Sequence, residues 1–346
     1  MIAATGAIFV RYPWNDVNGD TFVQAGELDL TNILSRSAAY DPADPCSFRT
    51  AGTVDPQVKN DRTREFIVGI DRQFGSTIAV GGSLIRRKYD RFQWNDRLNW
   101  TSANYRPVTL TPAGCPADGR CETITYYEPS SPLPAPFQYT NVPDRWRDFT
   151  GVEFTFSKRM SRRWSMNASY AYNDAVDSWN SPASYEDPTC VAGTVGSCPG
   201  TQIFAPESGG SGIDNVFVNA KWLVKVSGVV QLPFGVHVAG SINSRQGYPF
   251  PAAIRTPNRA NSGGTADVHL DPLGDVRQPS LHQVDFRVDR RFRLGAMTVR
   301  PTLDIFNLTN ANTVLTRRRL QASDVANDIS GIIAPRVARF GITVQW

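Results

Sequence analysis

The sequence predicts an all-β chain: an antiparallel up-and-down transmembrane β-barrel portion of about ten strands, with short periplasmic turns and long extracellular loops. Three observations predict it. Apolar and polar residues alternate over segments of about ten residues, which gives each strand two chemically different faces. Turns of about two to six residues alternate with loops of about 25–50, whereas most connections in compact soluble domains are short. The chain closes on Pro335–Trp346, where Ala338, Phe340, Ile342, Val344 and Trp346 share one parity and Arg339, Gly341, Thr343 and Gln345 the other.

The elements follow in order. Ala4–Trp14 reads as a short first strand ending in aromatics, before a polar stretch over about 15–62. Phe66, Val68, Ile70 and Phe74 mark one face of a strand, and Gly75-Ser76 supplies a tight turn. Ile78, Val80, Gly82 and Leu84 mark the next, which continues as the charged, aromatic segment 86–94. A loop over about 95–144 follows. Then Val152, Phe154 and Phe156 alternate in a strand from Trp146 to Phe156, a basic turn spans 157–163, and Trp164, Met166, Ala168, Tyr170 and Tyr172 return. After a loop over about 174–215, Trp222, Val224, Val226, Val230 and Leu232 share a face. Pro233-Phe234-Gly235 turns into Val236, Val238, Gly240 and Ile242. A loop over about 246–280 leads to Val284, Phe286, Val288 and Phe292, then to Met297, Val299, Leu303 and Ile305. A last loop, about 307–333, precedes the terminal strand.

Composition narrows the function classes. The 346 residues carry 36 Lys plus Arg against 32 Asp plus Glu, a net charge of +4 too mild and scattered for nucleic acid. No apolar run approaches the length of a membrane helix, and a β-barrel shows no such run either. Met1–Val10 has no basic leader, so the sequence reading expects no signal peptide within residues 1–346. The five cysteines form no CxxC and have no nearby histidine, which speaks against zinc. Cys115/Cys121 and Cys190/Cys198 are close pairs in long loops, and local disulfides there require an oxidising compartment; Cys46 is left over.

Among candidate sites, only Asp16, Asn18, Asp20 and Glu27 have metal-like spacing, at positions 1, 3, 5 and 12 of an EF-hand-type loop. Oxygen ligands so spaced can wrap Ca²⁺. The fit is incomplete, because position 6 is Thr21 and no amphipathic helix flanks the loop; the alternative is a solvated acidic turn. His237, His269 and His282 are far apart and form no triad, so the expectation is that the chain is not an enzyme. Asp285 and Asp289, with Arg287 and Arg291 between and beyond, read as an ion-pair ladder on the polar face. Arg162-Arg163 and Arg317-Arg318-Arg319 read as solvated or headgroup-facing clusters.

Asp304-Ile-Phe-Asn-Leu-Thr-Asn310 resembles the penultimate-strand motif of TonB-dependent outer-membrane receptors, and Pro335–Trp346 resembles their terminal strand. Phe156–Trp164, Gln231–Val236 and Gly247–Phe250 are similar to hairpins of the Oar-like branch of that family. The resemblance covers about 64–346. It implies that Phe340, Ile342, Val344 and Trp346 form the signal read by the barrel assembly machinery. It also implies outer-membrane lipid and an extracellular ligand as partners, in the outer membrane of a Gram-negative bacterium. Contact with TonB would come only through missing N-terminal parts, since the sequence shows no plug and no TonB box. Residues 1–346 are then the C-terminal part of a receptor barrel, not transport-competent alone. The alternatives are a self-contained ten-strand barrel acting as an adhesin or surface enzyme, and a soluble secreted β-protein.

Overall fold

The computed structural model describes residues 9–37, 40, 43, 52–133, 137–142, 144–179, 187–189, 200–206 and 216–346. The chain divides into two compact units. The smaller comprises Met1–Lys59, Gln93–Asn99 and Pro134–Asn141; the larger comprises Asn60–Phe92, Trp100–Leu133 and Val142–Trp346. No α-helix occurs among the described residues.

Nine long strands organise the larger unit: β1 (Arg62–Phe74), β2 (Ile78–Asp90), β3 (Arg145–Ser161), β4 (Trp164–Trp179), β5 (Trp222–Leu232), β6 (Val236–Arg245), β7 (Leu281–Arg290), β8 (Met297–Phe306) and β9 (Val337–Gln345). Their order in the sheet is their order in the chain, and every ladder between them is antiparallel. Two short strands, Gly200–Ile203 beside β4 and Phe292–Leu294 beside β8, complete it. The sheet is open, with β1 and β9 as its edges.

The register keeps each parity on one face. Directly opposite residues form the row Trp164–Val230–Val238–Val288–Leu303–Phe340 and the row Val68–Leu84–Val152–Tyr172. This apolar face has no protein layer on it: Ile70 is 74% exposed and Phe340 81%. The opposite face is polar, with rows such as Asn167–Ser227–Ser241–Asp285 and Arg287–Asp304–Arg339. A single slip of register would mix the two faces, so the alternation itself specifies the pairing.

Short turns join the strands at one end. Arg162 and Arg163 form a two-residue hairpin loop, and both occupy the left-handed region at φ 47° and 69°. That geometry ordinarily selects Asn-Gly, because a Cβ is unfavourable there. The turn is held by Lys158, whose buried ammonium donates to Ser161 O at 2.9 Å, Ser161 Oγ at 2.8 Å and Trp164 O at 2.8 Å. The Lys158 cation also lies 4.0 Å from the Trp164 ring centroid.

The sequence reading differs in three places. The expected first strand is not part of this sheet: Val10–Arg11 pairs with Ser35–Arg36 in the smaller unit, and residues 1–8 lie outside the described residues. So nine long strands stand where about ten were expected. The segment after β2 is a separate strand, Gln93–Arg97, paired with Phe137–Asn141 in the smaller unit. β3 and β4 reach Ser161 and Trp179, well past Phe156 and Tyr172, because polar cross-strand pairs continue the ladder where the apolar alternation stops.

Candidate functional site

The buried apolar core lies in the long connections, not in the sheet. These connections span residues 91–144, 180–221, 246–280 and 307–336. Each of three carries a hairpin: Tyr105–Leu110 with Ile124–Pro129, Ala253–Arg255 with Asp267–His269, and Val314–Arg317 with Ile329–Ile332. Ile124 and Tyr126 of the first hairpin pack with Ile254 and Val268 of the second, with Val108, Leu110 and Leu270 against them.

Arginines tie the hairpins together. Arg120 Nη1 lies 2.5 Å from Asp271 Oδ2, and Arg120 N donates to Gln321 Oε1 at 3.3 Å. Arg259 Nη1 donates to Asp187 Oδ2 at 2.6 Å and to Tyr127 O at 3.0 Å. Arg319 Nη2 lies 2.6 Å from Asp267 Oδ2, with both side chains nearly buried. Ala253 N donates to Arg319 O and Gln321 N to Ala253 O, each at 2.9 Å. These contacts join the three hairpins, all within the larger unit, into one cap.

The hairpin tip in 111–123 is closed by a disulfide between Cys115 and Cys121, with Cα atoms 5.6 Å apart. Asn327 Nδ2 donates to Asp118 O at this tip. Cys46, Cys190 and Cys198 lie outside the described residues. Replacing Cys115 and Cys121 by serine is expected to lower the stability of the cap by about 2 kcal/mol, the chain-entropy value for so short a loop. Hydrogen exchange at residues 316–328 reads that change.

Between the tip and the connections 246–280 and 307–336 lies a cavity of about 580 Å³. Asp118, Phe250, Arg277, Gln278, Arg317, Asn327 and Asp328 line it. Arg277 donates to Asn219 O at 2.7 Å, Gly247 O at 3.0 Å and Asn219 Oδ1 at 3.1 Å, all neutral acceptors. Burial pulls the Arg277 guanidinium below the usual arginine range. A half-buried cation held by neutral oxygens keeps attraction for an anionic oxygen. The two arginines, the amides of Gln278 and Asn327, and the Phe250 ring suit a ligand that is both oxygen-rich and partly apolar.

His269 sits beside this machinery. Its ring meets Phe217 edge-on at 6.0 Å, and neither ring nitrogen has a hydrogen-bond partner. Burial first, then the Arg319 charge, push its pKa down to about 4, against the opposing pull of Asp267 and Asp271. The folded cap thus holds fewer protons than the unfolded chain between about pH 6.5 and 4. Its stability should be full above pH 6.5 and fall as pH drops through that window, by on the order of 3 kcal/mol. Chemical denaturation at pH 7 and pH 4 measures this, and His269→Phe should flatten the dependence.

The polar face of the sheet carries a second cavity, about 460 Å³, lined by Asn167, Ser227, Ser241, Asp285, Arg287, Asp304 and Arg339 among others. Asp304 joins Arg339 at 2.8 Å and Arg287 at 3.4 Å. The expected ladder is thus redistributed. Asp289 meets His237 Nδ1 at 3.0 Å and Arg287 at 3.8 Å. Asp285 instead accepts from Asn307 N at 2.9 Å, and no ion pair involves Arg291 among the described residues.

The expected calcium loop lies in the smaller unit and is closed by its own donors. Gly19 N and Thr21 N donate to the Asp16 carboxylate at 2.7 and 2.9 Å, and Phe22 N to Asp20 Oδ1 at 2.8 Å. Glu27 accepts from Trp14 Nε1 at 3.0 Å and from Val17 N at 3.1 Å. The Phe22 amide holds the Asp20 carboxyl below its ordinary range, and the Trp14 indole does the same for Glu27. Asn18 Nδ2 donates to Asp20 Oδ2 at 2.9 Å. Among the described residues, no three His, Cys, Asp or Glu side chains are grouped to hold a metal ion. In the terminal strand, Phe340, Ile342 and Val344 lie on the exposed apolar face, and Trp346 follows the strand at 92% exposure.

Sequence reasoning missed the cap. It placed Arg317–Arg319 in solvent or against headgroups, whereas Arg319 is nearly buried against Asp267 and Arg317 donates to Asn327 O at 2.9 Å. Asp267 lies 52 residues from Arg319 in sequence, so local pattern carried no sign of that pair.

No family model and no curated protein matches the chain. Solved structures similar to it include the FrpB iron transporter from Neisseria meningitidis, F3-3 variant, at 12% identity and TM-score 0.41, covering 84% of this chain and 32% of that one. The outer membrane transporter YddB from Escherichia coli aligns at 12% identity and TM-score 0.41, covering 84% and 34%. The siderophore receptor PirA from Acinetobacter baumannii aligns at 12% identity and TM-score 0.40, covering 82% and 31%. The chain spans about a third of the length of each. Likenesses this distant assign it neither a family nor a ligand.

Proposed function

We propose that this chain is the C-terminal part of an outer-membrane receptor barrel of the TonB-dependent kind, and that its capped loops bind a ligand from outside the cell. The observation that carries this is the two-faced sheet. One continuous apolar face is exposed across nine strands, the other is polar, and all long connections leave from one end. An exposed apolar face this large is a liability in water and a requirement in lipid. The cavity at Arg277 and Arg317 is the ligand site in this reading.

Strand parity supports a larger barrel. An odd number of alternating strands makes β1 and β9 run in the same direction, so joining these two edges gives a parallel ladder. Antiparallel closure needs an odd number of further strands. Calcium at Asp16, Asn18, Asp20 and Glu27 is a separable part of the proposal, tested by calorimetric titration of the wild-type chain against Glu27→Gln.

The test of the whole reading is insertion of the full chain into lipid vesicles after refolding from detergent. Heat-modifiable migration on a gel and protease protection of the strands, with the long loops cleavable, are expected. A monomer that stays in the aqueous phase and is digested uniformly would overturn the reading.

A further inference from the structure

We propose that the short-turn end of the sheet is a collar that binds the phosphate headgroups of an anionic bilayer leaflet. This rests on the membrane reading above. Arg159, Arg162, Arg163, Arg290, Arg291 and Arg293 are all exposed, and among the described residues none of them enters an ion pair. At the other end seven arginines are held by carboxylates: Arg62 and Arg64 by Asp90, Arg86 by Asp148, Arg145 and Arg147 by Asp177, Arg259 by Asp187, Arg319 by Asp267. Carboxylates thus pair these seven arginines at the long-connection end, whereas the six at the short turns have no carboxylate partner among the described residues.

The free cations are contiguous. Arg159 N donates to Thr77 O at 2.8 Å, Gln231 N to Arg163 O at 2.7 Å and Arg291 N to Gly235 O at 2.9 Å, so successive turns touch along the rim. The residues of these turns carry no carboxylate, and the nearest ones, Asp71 and Asp289, sit on the polar face, Asp289 being bonded to His237. Large apolar side chains stand between the arginines at the same level: Phe234 is 85% exposed, and Phe74, Leu294 and Met297 are exposed too. Arg290 also lies over the Phe292 ring at 4.6 Å.

That mixture decides the occupant. A soluble acidic partner explains the arginines but leaves the apolar tips in water. A bilayer surface accommodates both, with aromatic and aliphatic tips at the acyl boundary and guanidiniums at the phosphates. The left-handed Arg162-Arg163 turn adds to the case. Two arginines are kept where Asn-Gly would be relaxed, so strain is retained together with charge.

The test compares the full chain with two variants, Arg162→Asn/Arg163→Gly and the same with Arg291→Gln/Arg293→Gln. The first relaxes the turn, so folding is preserved or improved. Binding and insertion are measured on phosphatidylcholine vesicles with and without phosphatidylglycerol, at low and high salt. The wild type should bind the anionic vesicles about tenfold or more tightly, with the preference lost in high salt. The variants should lose it stepwise while still inserting into phosphatidylcholine with a heat-modifiable band. Insertion without any anionic preference, or a preference kept by the fourfold variant, overturns the collar and leaves the membrane reading standing. Polyglutamate binding to the micelle-held wild type as tightly as anionic vesicles do would reassign the collar to an acidic polypeptide. Failure to insert into either vesicle overturns the membrane reading and the collar with it.

Discussion

Val226→Arg is expected to destabilise the chain in lipid vesicles by about 2–4 kcal/mol, while Ser227→Arg changes stability by less than about 1 kcal/mol. The two residues are neighbours in the middle of β5, but the pleat sends them to opposite faces. Val226 lies in the row with Ala168, Ile242 and Val284, on the exposed apolar face. A guanidinium there enters hydrocarbon near the middle of the bilayer, where water cannot solvate it. Ser227 lies opposite Asn167 and Ser241 and lines the cavity on the polar face. A guanidinium there meets hydroxyls, an amide and water. Denaturant unfolding from vesicles gives both numbers. In a water-soluble sheet the asymmetry would vanish or reverse, since an arginine on an exposed apolar face only improves solvation. Equal, small effects at both positions would therefore remove the physical ground for a lipid-facing side.

The same contrast shows why the sheet was readable from sequence and the cap was not. Period-2 alternation is a local property, and each strand of the sheet repeats it because one medium or the other touches every side chain. Phe66 to Phe74, Val236 to Ile242 and the terminal strand each announce themselves within about ten residues. The outer half of β4 does not. Asn173, Asp174 and Asp177 look like loop residues. They form strand because Asp177 binds Arg145 at 3.2 Å and Arg147 at 2.9 Å across the ladder. In the cap the decisive partners are more distant still: Arg120 meets Asp271 and Arg259 meets Asp187. Residues such as Arg277 and His269 owe their properties to burial among three connections, which no window of sequence contains. The placement of the first strand at Ala4–Trp14 failed for the opposite reason. A local pattern at Val10–Arg11 was real, but its partner is Ser35–Arg36 and not the sheet.

Asn307→Ala is expected to destabilise the larger unit by about 3 kcal/mol, more than the loss of any one exposed ion pair. The residue directly follows β8 inside the Asp304–Asn310 motif, and it is 2% exposed. Its backbone lies in the left-handed region at φ 51°, where asparagine is tolerated and alanine is not. Its amide group joins both ends of the last long connection. Nδ2 donates to Ala311 O at 2.9 Å and to Ala334 O at 2.8 Å, and Oδ1 accepts from Ala311 N at 2.9 Å. The backbone N–H donates to Asp285 on β7 at 2.9 Å. Asn310 repeats the device at φ 51°, with its Oδ1 accepting from Arg336 N at 3.0 Å. The motif is therefore a clasp that delivers residue 336 to the start of β9. Truncation takes the partner from a part-buried N–H and from two carbonyls and adds backbone strain. Asn307→Gly separates these effects, since glycine removes the strain but not the lost hydrogen bonds. The glycine variant should recover about 1 kcal/mol of the loss. Both variants should raise hydrogen exchange in β9 before exchange rises in β5. Uniform loosening of the whole sheet would instead place the clasp outside the docking of the terminal strand.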